Sequence, residues 1–136
     1  QVHQLPELCS IVFGSLCEWN IERQTQFSLY CYHLFSLVDT PAPVVYTSLK
    51  YVQTMLAKGT EMDEYSLFTV ALVLSYKYTE DHAPPFMLQW SCASMIPVET
   101  LTILELDSLS LLDYSLYISA DAFRQWTEEC NVLYDL

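Results

Sequence analysis

The chain has 136 residues, 52% of them hydrophobic, and its 17 acidic and 5 basic side chains give a net charge of −12. This length and apolar content predict a single folded domain with a buried core and exclude a disordered chain. The charge argues against binding to nucleic acid or to an anionic membrane surface, because both need a basic footprint.

Apolar periodicity and capping residues predict seven α-helices, and the presence of only two glycines argues against a turn-rich β protein. The prolines Pro41 and Pro43 separate the second and third helices, and Gly59 caps the third. The fold class is therefore all-α. In chain order the predicted helices cover about 6–19, 25–38, 44–57, 64–79, 86–94, 98–114 and 121–133.

The fourth predicted helix is apolar on almost every side over 67–74, and Lys77 is its first charged residue after that run. A helix of this kind lies at the centre of its domain, surrounded by the others. Leu72 in this helix and Leu112 near the end of the sixth are therefore expected in the core.

Two stretches together resemble the cyclin box. Residues 75–81 read SYKYTED and residues 101–116 read LTILELDSLSLLDYSL, which are similar to the SKYxED and LNxLExxFLxxLDYxL patterns of that family. Asp81 and Trp90 resemble a spacing found in the fungal Pho/Pcl-type cyclins. The resemblance implies a single cyclin-like domain over 1–136, a five-helix bundle with its core at about 22–120. An extra N-terminal helix at 6–19 and a C-terminal helix at 121–133 would flank it.

The same resemblance implies a function. In cyclins a lysine and a glutamate hydrogen-bond main-chain groups beside the αC helix of a cyclin-dependent kinase, and the matching residues are Lys77 and Glu105. The two are expected to meet at the ends of neighbouring helices, near solvent. The chain would then be a regulatory subunit that binds and activates or targets such a kinase, in the cytoplasm, the nucleus or both. An ordinary ion pair between two helices is the other interpretation.

Several positions depart from the cyclin pattern. Gln53 and Thr54 replace the usual Asp-Arg pair, Thr102 replaces the asparagine, and no MRAIL-like motif occurs around 30–37. These differences leave open an alternative, in which the chain is a cyclin-fold interaction scaffold that binds another protein and activates no kinase.

Other kinds of site have little support in the sequence. The cysteines lie apart without a CxxC or Cys/His cluster, which predicts buried free thiols in a reducing compartment and no metal site. The three histidines are isolated, and no nucleotide-binding or hydrolase motif occurs. We therefore expect a protein that is not an enzyme and that needs no cofactor. The cysteines are Cys9, Cys17, Cys31, Cys92 and Cys130.

Overall fold

The computed structural model describes residues 4–79 and 83–136. These residues form seven α-helices and no strand, which confirms the all-α prediction. In chain order the helices are α1 (Leu5–Cys17), α2 (Ile21–Leu37), α3 (Ala42–Ala57), α4 (Glu64–Thr79), α5 (Met87–Ser94), α6 (Val98–Leu111) and α7 (Ala120–Asp135).

Local capping chemistry explains where the helices differ from the sequence prediction. α2 begins at Ile21, four residues early, because the Asn20 side chain accepts a hydrogen bond from the Arg23 amide at 2.9 Å. α6 ends at Leu111, three residues before the predicted end, because the chain turns left-handed soon afterwards. The sequence prediction of 25–38 therefore omits the first turn of this helix.

α4 lies at the centre of the molecule, as its sequence predicted. Every residue from 67 to 75 is buried, and the helix packs against α3, α5 and α6. Its buried hydroxyls are satisfied: Ser75 donates to the Val44 carbonyl at 2.7 Å, and Thr69 donates to the Tyr65 carbonyl at 2.7 Å. α4 can therefore cross the core without a polar face.

The N-terminal and C-terminal helices share this core. α1 packs against α2, α3 and α7, and it contributes Leu8, Val12 and Phe13 to the same buried cluster as α4. α7 is fixed to α3 by the Trp126 indole, which donates to the Tyr46 carbonyl at 2.9 Å. Leu72 and Leu112 are both buried, as predicted. The cyclin-box division into a core at 22–120 and two flanking helices stays a prediction.

The cysteines are free, and three of them are buried where α1, α2 and α7 meet the core. Burial raises the pKa of the Cys31 thiol well above its ordinary value, with a further contribution from its hydrogen bond with Cys9. Burial also raises the pKa of Cys130 to about 12. Cys17 is partly buried, whereas Cys92 on α5 is exposed, contrary to the expectation that the thiols are buried.

Among the described residues, no helix combines the length and the hydropathy that crossing a membrane requires.

Candidate functional site

Lys77 lies where α4 leaves the core. Ser75 is fully buried and Tyr76 is half-buried, whereas Lys77, Tyr78 and Thr79 in the last turn are exposed. The lysine therefore marks the point at which the central helix reaches the surface. A cation in the last turn also interacts favourably with the negative end of the helix dipole.

Glu105 approaches Lys77 from α6, the helix that packs beside α4. The Lys77 Nζ and Glu105 Oε2 atoms are 2.6 Å apart, and the two side chains are 40% and 14% exposed. Glu105 lies in the middle of α6, so the expectation that both residues occupy helix ends is wrong for the glutamate. It borders the buried side of the helix because it follows the buried Leu101 by four residues, about one turn.

Exposed apolar side chains neighbour these two residues along their helices. Tyr78 follows Lys77 on α4, and Leu106 follows Glu105 on α6; they are 60% and 61% exposed. Ile103 on α6 is 60% exposed as well. We refer to Tyr78, Ile103, Leu106 and the Lys77–Glu105 pair as the α4/α6 surface. An ion pair on helices that also expose apolar side chains is suited to contact with another protein.

An unusual turn borders this surface. Asp113 and Tyr114 have φ of 53° and 57°, a left-handed conformation that costs free energy in residues with a Cβ. Lys58 Nζ holds Asp113 Oδ2 at 2.5 Å, and the Tyr114 amide donates to the Leu109 carbonyl at 2.8 Å. Tyr78, Leu109 and Tyr114 line a groove of about 470 Å³ beside the turn. The sequence did not predict this turn, because the helical spacing of apolar residues continues through it.

The residues at the positions where the cyclin pattern has an Asp-Arg pair are hydrogen-bonded within their own helix. Gln53 Oε1 accepts a hydrogen bond from Lys50 Nζ at 2.8 Å, and the Thr54 hydroxyl donates to the Lys50 carbonyl at 3.2 Å. Thr102, at the position of the family's asparagine, donates to the Val98 carbonyl at 2.9 Å. All three side chains are thus bonded locally on α3 or α6.

Part of the cyclin-like motif lies outside the described residues, namely Glu80 and Asp81, as do His3 and His82. Trp90, the partner of Asp81 in the proposed spacing, is buried on α5 and packs edge-on against Tyr76 with ring centroids 6.3 Å apart. Trp90 is therefore a core residue that joins α5 to α4.

A second ion pair holds the opposite end of α4. Arg23 on α2 donates Nε and Nη2 to the two carboxylate oxygens of Glu64 at 2.8 and 2.9 Å. These hydrogen bonds lower the pKa of Glu64 below its ordinary value. Across the described residues, no group of three or more histidine, cysteine or acidic side chains is placed to hold a metal ion.

Comparisons with known proteins add no relative. No family model matches the chain, and neither the curated proteins nor the solved structures contain a match.

Proposed function

We propose that the chain is a cyclin-like regulatory subunit that binds a cyclin-dependent kinase through the α4/α6 surface and activates or targets it. On this proposal Lys77 and Glu105 contact main-chain groups of the kinase, and the chain itself catalyses nothing. It would act in the cytoplasm, the nucleus or both. The observation that carries the proposal is the 2.6 Å contact between these two residues, on helices that also expose Tyr78, Ile103 and Leu106.

The energetics of the pair favour a role in binding. An ion pair with a partly exposed cation contributes only about 0–1 kcal/mol to folding. The ammonium group carries three N–H donors and the carboxylate has a second oxygen, so both can bind a partner while remaining paired with each other. When a partner removes water from this pair, each of its hydrogen bonds becomes stronger.

A scaffold without kinase activation is the second candidate. It is favoured by Gln53 and Thr54, whose side chains are bonded to Lys50 within α3 where cyclins carry an Asp-Arg pair. Such a scaffold would use the same exposed apolar residues to hold a different protein. The two candidates predict different results in a kinase assay.

The test uses the purified chain and a panel of purified cyclin-dependent kinases, with phosphorylation of a peptide and affinity for the chain as readouts. We expect at least one kinase to bind and to be activated, and Lys77→Ala and Glu105→Ala each to weaken binding at least about tenfold, since losing one partner of a desolvated charge pair costs about 2–5 kcal/mol. Binding without activation that still depends on Lys77 would favour the scaffold.

Arg23→Ala is the matched control. Arg23 also forms an ion pair with a mostly buried glutamate on a neighbouring helix, at the opposite end of α4: the Arg23 and Glu64 side chains are 53% and 13% exposed, against 40% and 14% for Lys77 and Glu105. It should leave kinase binding unchanged. If no kinase in the panel binds, or if Arg23→Ala and Lys77→Ala weaken binding equally, the proposed surface is wrong.

A further inference from the structure

A cavity lies where the segment between α6 and α7 passes α3, and the kinase proposal does not use it. Its volume is about 380 Å³, within the range of sites that hold small organic ligands. Lys50 and Lys58 line it on the α3 side, and Ser115, Ser119 and Ala122 line the opposite wall. We call this the α3/α7 cavity.

The charge of the cavity is unusual for so acidic a chain. The sequence has only 5 basic residues against 17 acidic ones, yet two of the five line this one cavity. Lys50, Thr54 and Lys58 follow one another at intervals of four residues, so they lie along one side of α3. Among the described residues that line the cavity, Asp113 is the only acidic one. The lining therefore carries a net positive charge, opposite in sign to that of the whole chain.

Lys50 has no carboxylate partner among the described residues, whereas the other four basic residues form ion pairs. Its ammonium group donates to the Gln53 Oε1 atom at 2.8 Å and lies 4.9 Å from the centre of the Trp126 ring. Both of these neighbours are neutral. Because Lys50 is half-buried, its charge has lost part of its hydration without gaining an opposite charge. An anion in the cavity would supply that charge.

The opposite wall offers hydrogen-bond donors. Ser119 accepts a hydrogen bond from the Ala122 amide at 3.1 Å, which leaves its own hydroxyl hydrogen to donate, and Ser115 adds a second hydroxyl group. α7 begins at this wall, so its dipole places a partial positive charge there. Asp121 in the first turn of α7 is bonded to Arg124 at 3.4 Å and does not line the cavity. Both walls can thus contact one anion.

We infer that the α3/α7 cavity binds a phosphate monoester, with its phosphate group between Lys50 and Lys58. At neutral pH such a group carries a charge of about −1.5 to −2 and has three terminal oxygens, so it can accept hydrogen bonds from both ammonium groups and from a hydroxyl of the opposite wall. A carboxylate has a single charge and only two oxygens. Tyr117 and Ile118 also line the cavity, which provides apolar surface for the organic part of the ester.

Asp113 competes with the phosphate for Lys58. Its Oδ2 atom is 2.5 Å from Lys58 Nζ, and its side chain is 79% exposed. An exposed ion pair of this kind contributes little to stability, so Lys58 can exchange the carboxylate for a more highly charged group at small cost. Neither Lys77 nor Glu105 lines the cavity, so the inference stands or falls independently of kinase binding.

Isothermal titration calorimetry on the full chain tests the inference with two phosphate monoesters. One is glycerol 3-phosphate, with glycerol as its counterpart, and the other is a phosphoserine peptide, with the same peptide unphosphorylated as its counterpart. We expect at least one ester to bind with a dissociation constant below about 1 mM and at least about tenfold more tightly than its counterpart. The ester that binds more tightly identifies the source of the phosphate as a small metabolite or a phosphorylated protein.

Charge variants locate the site. Lys50→Gln and Lys58→Gln should each weaken binding of the ester at least about tenfold, because each removes a charged donor. Arg23→Gln removes the same charge from a residue outside the cavity, and it should change the affinity by less than about twofold, since salt screens distant charges. Asp113→Asn should tighten binding, because it removes the competing carboxylate while asparagine tolerates the φ of 53°.

The gain expected from Asp113→Asn keeps the test decisive even if Lys50→Gln fails to fold, because misfolding cannot raise an affinity. Several results would overturn the inference. They are no binding of either ester, equal binding of each ester and its counterpart, acetate binding as tightly as the esters, equal effects of Lys50→Gln and Arg23→Gln, or weaker binding to Asp113→Asn.

Discussion

α4 and α6 have similarly apolar sequences, yet they occupy opposite situations in the fold. Nine consecutive residues of α4 are buried, whereas α6 is fully buried only at Leu101 and Ser108. The leucines and isoleucine of α6 cover the core on one side and reach solvent on the other, as Ile103 and Leu106 do. The apolar content of a helix alone therefore does not determine how deeply it is buried. The number of helices that pack around it does.

This difference in burial reflects how many helices pack against α4 and against α6. α4 has α2, α3, α5 and α6 around it, so its apolar residues stabilise the fold. α6 has only α4 and α5 as principal neighbours and leaves large aliphatic side chains uncovered. Apolar side chains that stay exposed contribute little to folding, because little of their surface is removed from water.

The largest expected effect comes from cutting back one leucine in each helix. Leu72→Ala in α4 should lower the free energy of unfolding by about 2–5 kcal/mol, because it opens a cavity in the core. Leu106→Ala in α6 should change it by less than about 0.5 kcal/mol, because that side chain is 61% exposed. Urea unfolding of both variants measures the contrast, and equal losses would refute it.

A smaller effect is expected at the left-handed turn after α6. Tyr114→Gly should raise the free energy of unfolding by up to about 1 kcal/mol, because glycine adopts a φ of 57° without strain and little packing is lost. Tyr117→Gly is the control, since the Tyr117 side chain is also largely exposed to solvent, as that of Tyr114 is, but its φ is not positive. Tyr117→Gly should leave the free energy of unfolding unchanged or lower it. If both variants are stabilised, relief of backbone strain is not the cause.

The ion pair between the two helices should matter still less for folding. Lys77→Ala should lower the free energy of unfolding by less than about 1 kcal/mol, because the cation is 40% exposed and water replaces the lost contact. Thermal unfolding measures this. A loss above 2 kcal/mol would show that the pair fastens α6 to α4, and the kinase proposal would lose its energetic support.

The smallest effect concerns the pH dependence of the other end of α4. Arg23 lowers the pKa of Glu64 below its ordinary value of 4.5, so the unfolded chain takes up a proton more readily than the folded chain. The stabilisation is present above that pH and is lost as the pH falls through the folded-state pKa. The melting temperatures of wild type and Glu64→Gln should therefore differ at pH 7, begin to approach each other below about pH 4.5 and converge once the pH lies below the folded-state pKa. A gap that persists in acid would contradict this assignment.

The sequence predicted the parts of the fold that depend on local pattern. The central position of α4 was predictable, because the run from 67 to 74 leaves no polar side to expose. The exposure of Ile103 and Leu106 on α6 was not predictable, because it depends on whether another helix packs against that side of α6. The early start of α2 at Ile21 could have been found from the capping side chain of Asn20.

The meeting of Lys77 and Glu105 near the surface was predictable, but the position of the glutamate within its helix was not. The cyclin-like motifs singled out Lys77 and Glu105, and the structure places them in contact, although Glu105 lies in mid-helix. The hydrogen bond from the Tyr32 hydroxyl on α2 to the Glu7 carboxylate on α1 could not be predicted from the sequence, because the two residues are 25 positions apart in the chain. Contacts of this kind arise only when the helices have packed.

The arrangement of the thiols has a practical consequence for labelling chemistry. Alkylating reagents attack the thiolate, and burial both shields Cys31 and Cys130 and raises their pKa. Burial likewise raises the pKa of the half-buried Cys17. In the unmodified chain, maleimides should therefore react faster with the exposed Cys92 than with the other cysteines. Since α5 packs beside both α4 and α6, a fluorophore on Cys92 would report a protein docking nearby without any engineered cysteine.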